Sequence, residues 1–125
     1  MTDPLGRLRV RRDFLRVAAE RRKSVSPGLV LQVAPSGLEP AIAGATRRVG
    51  FTASKKVGGA VLRNRAKRRL REAARAVMTP HARPGLDYVI IARDTTPSRP
   101  YRLLLADLEA GLRRLKAWRE ADAAD

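Results

Sequence analysis

Apolar residues recur along this 125-residue chain with two different periods, and the change of period separates helices from strands. Val10, Phe14, Val17 and Ala18 fall at i, i+4, i+7 and i+8, which predicts a helix over about residues 9–21. Arg9, Arg12, Arg16 and Lys23 lie off its apolar face. Pro27 and Gly28 break that pattern. Leu29 to Val33 then reads as a strand, and Pro35 to Pro40 as a loop. Between Arg48 and Ser54 the period becomes two. Val49, Phe51 and Ala53 alternate with Arg48, Gly50, Thr52 and Ser54, predicting a strand with one buried and one polar face.

Gly58 and Gly59 precede a long helix predicted from Ala60 to Met78. At about 100° per residue, Leu62, Ala66, Leu70, Ala73, Ala74 and Val77 share an arc of roughly 120°, while Asn64, Arg65, Arg68, Arg71 and Arg75 occupy the opposite side. Arg63 falls on the apolar arc, so it either sits at the helix entry or swings its guanidinium outward. Pro80 and Pro84 predict a loop from Met78 to Gly85. Tyr88 to Ala92 is nearly continuous apolar sequence, as in a strand covered on both faces. Ser98 and Pro100 mark a helix start, and Leu104, Leu108, Leu112 and Leu115 carry that helix to about Trp118. Residues 1–8 and 120–125 are expected to fray. The predicted fold is α+β, a single two-layer α/β sandwich domain over residues 1–125 in the order α-β-β-α-β-α.

Composition adds a strong sign to this pattern. Twenty-seven Lys and Arg against 12 Asp and Glu give a formal charge of +15, whereas hydrophobic (44%) and charged (31%) fractions are those of an ordinary globular domain. The charge is segregated. Residues 7–23 hold eight basic side chains against Asp13 and Glu20, a net of +6, and residues 55–75 hold nine against Glu72, a net of +8. Residues 101–125 balance to zero. Two concentrated cationic faces point to a polyanion, nucleic acid first, rather than to a solubilising surface. The absence of cysteine excludes disulfides, thiolate nucleophiles and cysteine metal sites. No apolar run is long enough to span a bilayer and no secretory signal pattern appears, so a cytoplasmic protein without a membrane partner is expected.

Catalytic chemistry has little to work with. The single histidine, His81, lies in the Pro-flanked loop and reads as an ordinary surface residue. Two-metal hydrolysis needs converging carboxylates, and Asp87 and Asp94 sit at opposite ends of one strand. No catalytic residue and no protein-borne metal site is therefore expected. Gly50 to Arg75 instead resembles phosphate-binding apparatus. Lys55 and Lys56 approach a glycine hinge whose backbone N–H groups can come close to a phosphate. A helix N-terminus and the Arg65, Arg68, Arg71 and Arg75 face follow.

The segment from Arg48 to Glu72 is similar to the signature of the bacterial ribonuclease P protein family, with Arg-Val-Gly, Ser-Lys-Lys, the Arg63-Asn64-Arg65 block, Lys-Arg and Arg-Glu in order and without a gap. Weaker resemblance covers Asp13 to Val17, Leu29 to Val33, Asp87 to Arg93 and the last helix. The resemblance implies a small basic protein that binds ribonuclease P RNA, one protein per catalytic RNA. Together they would remove the 5′ leader of precursor tRNA by Mg²⁺-dependent hydrolysis, with catalysis and metals belonging to the RNA. It also implies a left-handed βαβ crossover, contrary to the usual hand. By position, Arg63, Asn64, Arg65, Lys67, Arg68 and Arg71 match the block facing the catalytic RNA, and Arg75 extends it. Ser54, Lys55 and Lys56 match the segment beside the leader cleft; Phe14, flanked by Arg12 and Arg16 on the first helix, matches a cleft aromatic that either stacks a base or belongs to the core. Ala18 and Gln32 stand where members often carry aromatics, which shifts leader binding toward charge and backbone polarity. The alternative is a structural, ribosomal-type RNA-binding protein with no processing role.

Overall fold

The computed structural model describes residues 5–44 and 46–121, which form one five-stranded sheet flanked by helices. In chain order the elements are β1 (Gly6–Arg7), α1 (Arg11–Ala19), β2 (Arg22–Val25), β3 (Leu29–Pro35), α2 (Pro40–Ala43) and β4 (Arg47–Thr52). A 3₁₀ turn (Lys55–Val57), α3 (Ala60–His81), β5 (Leu86–Ala92) and α4 (Tyr101–Arg114) complete it. The sheet order is β1-β4-β5-β3-β2. β5 is central, parallel to β4 from Arg47↔Leu86 to Thr52↔Ile91 and antiparallel to β3 from Leu29↔Ala92 to Pro35↔Leu86. The parallel β4–β5 pair requires the α3 crossover. This is the α+β single-sheet domain that the periodicity predicts.

Alternation along the strands sorts side chains onto two faces. Leu29, Leu31, Val33, Val49, Tyr88 and Ile90 face α3 and α4, where Ala66, Leu70, Met78, Leu108 and Leu112 close the main core. Each fully buried Leu there contributes about 1.5–3 kcal/mol. On the other face Ala34, Val89 and Leu8 pack with Val17 of α1, and Phe14 and Ile91 border them. The polar face expected of β4 is thus partly covered. Gly50 is buried beneath Phe14, and a Cβ there would lie 2.5 Å from the ring, so only glycine lets α1 approach.

Several boundaries differ from the periodicity. α1 ends at Ala19, with Arg21 at φ 59°, so an arginine takes the left-handed position at which glycine would have announced the helix end. β2 escapes notice because it is a charged edge strand in which only Ser24 is buried. β1 pairs in parallel with β4 and Leu8 is 3% exposed, so Gly6 to Leu8 are ordered rather than frayed; residues 1–4 and 122–125 lie outside the described residues. α3 continues through Pro80 to His81, beyond the predicted Met78. Buried Arg47 donates to the carbonyls of Met78 (2.7 Å), Thr79 (2.6 Å) and Ala82 (3.5 Å), supplying the donors that the terminal turn lacks and a cation at the negative end of the helix. His81 is not a free surface residue: its ring stacks on Trp118 at 3.9 Å, and Arg113 covers the Trp118 ring at 4.2 Å. Val10, at the N-cap of α1, and Ala18 are exposed, leaving Val17 and Phe14 as the packing residues of the helix. Among the described residues no helix is long and apolar enough to cross a membrane.

Asp87, at the start of β5, is fully buried and gathers three elements around it. Arg48 donates Nε to Oδ1 (3.0 Å) and Nη2 to Oδ2 (2.8 Å), Arg16 of α1 donates to Oδ2, and the Gly37 backbone N–H adds a bond of 3.1 Å. Burial alone would push the Asp87 carboxyl up, but these donors outweigh it and hold the group below the ordinary 3.8. A carboxylate whose folded pKa is depressed stabilises the fold above its unfolded pKa and loses that contribution as pH falls through the folded value. Asp87→Asn should therefore cost about 3 kcal/mol at neutral pH. It should also remove part of the acid-induced loss of stability below about pH 4. Urea unfolding of both proteins at neutral and acid pH measures the two effects, and an equal acid loss in each would exclude Asp87 as its source.

Candidate nucleic-acid interface

Two cationic surfaces meet at the end of the sheet where β4 and β5 finish. The first is built on α3. Asn64, Arg68, Arg71 and Arg75 follow one another at helical spacing; Asn64, Arg68 and Arg75 are exposed and Arg71 half-buried. None of these three arginines forms an ion pair among the described residues. Lys67 is half-buried beside them.

The Arg63-Asn64-Arg65 block has a mixed character. Arg63 occupies the first turn of α3, half-buried, with its Nε enclosed and without a hydrogen-bond partner among the described residues. This answers the question that helical spacing left open: Arg63 lies at the helix entry. Arg65 is exposed, yet its Nε donates to the Pro97 carbonyl at 3.0 Å, which fastens α3 to the β5–α4 connection. Leu62, expected on the buried face, is 43% exposed and lies over Gly58. At φ 138° Gly58 takes a backbone conformation that side chains rarely adopt, and its N–H donates to the Lys55 carbonyl at 3.1 Å. That N–H is consequently engaged internally rather than offered to a phosphate.

Arg69 was not singled out by sequence, and its role is different. It donates to the carbonyls of Thr96 (2.6 Å) and Arg99. Charge alone could not distinguish it from Arg68, since only the contact with a loop distant in sequence does so.

The second surface is a cleft between α1 and the uncovered part of the sheet's second face. One depression of about 330 Å³ is lined by Arg9, Arg11, Phe14 and Thr52. A second, of about 470 Å³, includes Ser54, Lys56, Ile91, Arg93 and Asp94. Thr52 and Ile91 are partners across β4 and β5, so the two depressions adjoin. Ser54 caps the 3₁₀ turn by accepting from Lys56 N at 3.3 Å, which presents exposed Lys55 and Lys56 at the cleft edge. Phe14 is half-buried and does both things considered for it: one part packs over Gly50, and another lines the cleft. Arg12 is exposed and unbonded among the described residues. Arg16 is not available in the same way, because its guanidinium is held by Asp87, Asp13 and the Pro35 carbonyl. Arg9, Arg11 and Arg93 line the depressions without having been singled out; Arg9 and Arg11 had only their place in a basic run to mark them.

Comparison with known proteins identifies the family. The family model described as Ribonuclease P matches residues 4–116. The chain is 56% identical to the ribonuclease P protein component of Paramagnetospirillum magneticum, over 100% of this chain and 93% of that one. It is 52% identical to that of Ruegeria pomeroyi, over 88% and 86% respectively. Among solved structures, the RNase P protein of Staphylococcus aureus superposes with a TM-score of 0.73 at 26% identity, covering 93% of this chain and 100% of that one. The Thermotoga maritima protein gives 0.67 at 28% identity, covering 89% and 96%.

The distinction between anchoring and free arginines is measurable. Arg69→Ala leaves two carbonyls without donors and should lower stability by about 1–3 kcal/mol. Arg75→Ala should stay within about 0.5 kcal/mol of the parent. Chemical denaturation of both variants checks this, and equal stabilities would contradict the assignment of Arg69.

Proposed function

Because the chain belongs to the ribonuclease P protein family, we propose that it acts as the protein subunit of ribonuclease P, binding the catalytic RNA through α3 and the 5′ leader of precursor tRNA in the α1–sheet cleft. The carrying observation is the convergence of an unpaired arginine stripe and a basic cleft at one end of the sheet. Such a protein can touch two polyanions at once and reduce their mutual repulsion.

In this reading Arg63, Asn64, Arg65, Lys67, Arg68, Arg71 and Arg75 face the catalytic RNA. Planar guanidiniums suit that task because they grip phosphate oxygens in pairs and stay charged. The leader lies across Phe14, Ser54, Lys55 and Lys56, with Arg12 at the flank. Arg16 serves by holding α1 in place rather than by touching RNA. Phe14 offers one ring edge for a base, and Ala18 and Gln32 offer none, so leader contacts rest mainly on charge. Among the described residues no three His, Asp or Glu side chains group as a ligand set. The family resemblance assigns the Mg²⁺ ions of the reaction and the catalysis of precursor cleavage to the RNA. The protein's contribution is to hold the leader, which favours precursor over mature product, and to neutralise phosphate charge near the scissile bond.

With about six phosphates neutralised, log K for the catalytic RNA should fall against log salt with a slope of roughly −4 to −5. Arg68→Ala should reduce that slope by about one while leaving the fold intact. Filter binding across a salt series reads both values. In reconstituted cleavage of precursor tRNA over a magnesium series, the chain should raise the rate most at low Mg²⁺. A purely structural RNA-binding protein would leave those rates unchanged.

A further inference from the structure

On the side of the sheet away from the leader cleft, a groove of about 360 Å³ runs between α3 and the β1–β4 edge. Its floor is apolar and partly aromatic, formed by half-buried Leu5 and Phe51 over buried Val49. Arg7, Arg71 and Arg75 form its rim. None of the three is paired with a carboxylate among the described residues. Arg7 holds its guanidinium 5.5 Å from the centre of the Phe51 ring, a cation–π arrangement that fixes a flat charged plane over an aromatic one.

These features select the occupant. Three guanidiniums without carboxylate partners around an apolar floor suit an anion with an aromatic part. The volume lies near the lower end of the range of about 300–1,000 Å³ typical for small-molecule sites, which fits one nucleotide and not a duplex. Arg71 and Arg75 are also the C-terminal half of the exposed stripe on α3, so the groove is continuous with the surface assigned to the catalytic RNA. We propose that this groove receives one unpaired nucleotide of ribonuclease P RNA, its base against the Arg7–Phe51 pair and its phosphate on Arg71 and Arg75. The proposal rests on the RNA-binding role of α3 given above and adds a base-binding pocket to it. Arg7, Phe51 and Leu5, which lie outside the Arg-Asn-Arg block, become contact residues.

The test uses the full chain with ribonuclease P RNA and no precursor. Arg7→Gln removes the planar cation from an exposed position, and Arg7→Lys keeps the charge without the plane. Both should weaken RNA binding, Arg7→Gln by about tenfold, with Arg7→Lys restoring little of it, because lysine returns the charge without the planar stacking surface. Dimethyl sulfate probing of the complex should show an unpaired base that the parent protects and both variants leave reactive. Arg68→Ala, measured alongside, should weaken binding while leaving that protection in place. If Arg7→Lys restores full affinity and no base changes reactivity, the groove acts only through charge and the pocket is excluded. If Arg7→Gln lowers thermal stability with RNA affinity unchanged, Arg7 serves only to hold the β1–β4 edge and the proposal is overturned. Loss of the Arg68→Ala effect would instead strike the assignment of α3 itself.

Discussion

A carboxylate buried among arginines organises this domain. In a chain of +15, Asp87 is the most deeply buried acid among the described residues, and it draws in Arg48 from β4, Arg16 from α1 and the Gly37 N–H from the β3–α2 loop. Desolvating that group would be unfavourable on its own, and the arrangement is stable because every approach is by a donor. Its position at the start of the central strand matters as much as its charge. The α1 helix is tied to the sheet by this network through Arg16 and packed by Phe14 over Gly50, so a cleft opens toward Thr52 and Ile91.

The same logic separates the arginines into two groups. Arg47, Arg48, Arg69 and Arg99 have their guanidiniums committed to carbonyls or carboxylates: Arg47 closes α3, Arg69 holds the loop before α4, and Arg99 makes a two-pronged contact with Asp107 (2.7 and 3.1 Å). Arg68, Arg71 and Arg75 have no such partner among the described residues. A protein that must present unneutralised charge to RNA still needs cations inside its own structure, and fixed internal acceptors keep the two uses apart. Electrostatic self-repulsion on the α3 face is then tolerated because the loop carbonyls anchor neighbouring side chains of the same helix.

Both cationic surfaces belong to one frame. α3 leaves the end of β4 through a short turn, and β5 returns beside β4, so the start of the stripe and the open end of the cleft are neighbours by construction. The groove around Arg7 and Phe51 lies across the sheet from that cleft, where β1 extends the sheet by only two residues. A short edge strand leaves β4 partly uncovered there, which is why Phe51 stays half-buried and accessible.

Amphipathic period and charge spacing were enough to place α3, β3, β4, β5 and α4, to foresee the main core through Leu70, Leu108 and Ile90, and to mark Arg68, Arg71 and Arg75 as a cationic face. Those features are local, since a side chain's face follows from its position along a helix or strand. Features made by distant residues were not legible. Two-residue β1 and charged β2 carry no apolar period, and the run of α3 past Pro80 depends on Arg47 from another element. Arg16 and Arg69 have the same composition signal as their unpaired neighbours and differ only in what lies opposite them. Sequence alone therefore determined the layers and the sign of the surface. Only the tertiary structure decided which cations remain free, because a guanidinium is released or engaged according to acceptors that chain folding brings near it.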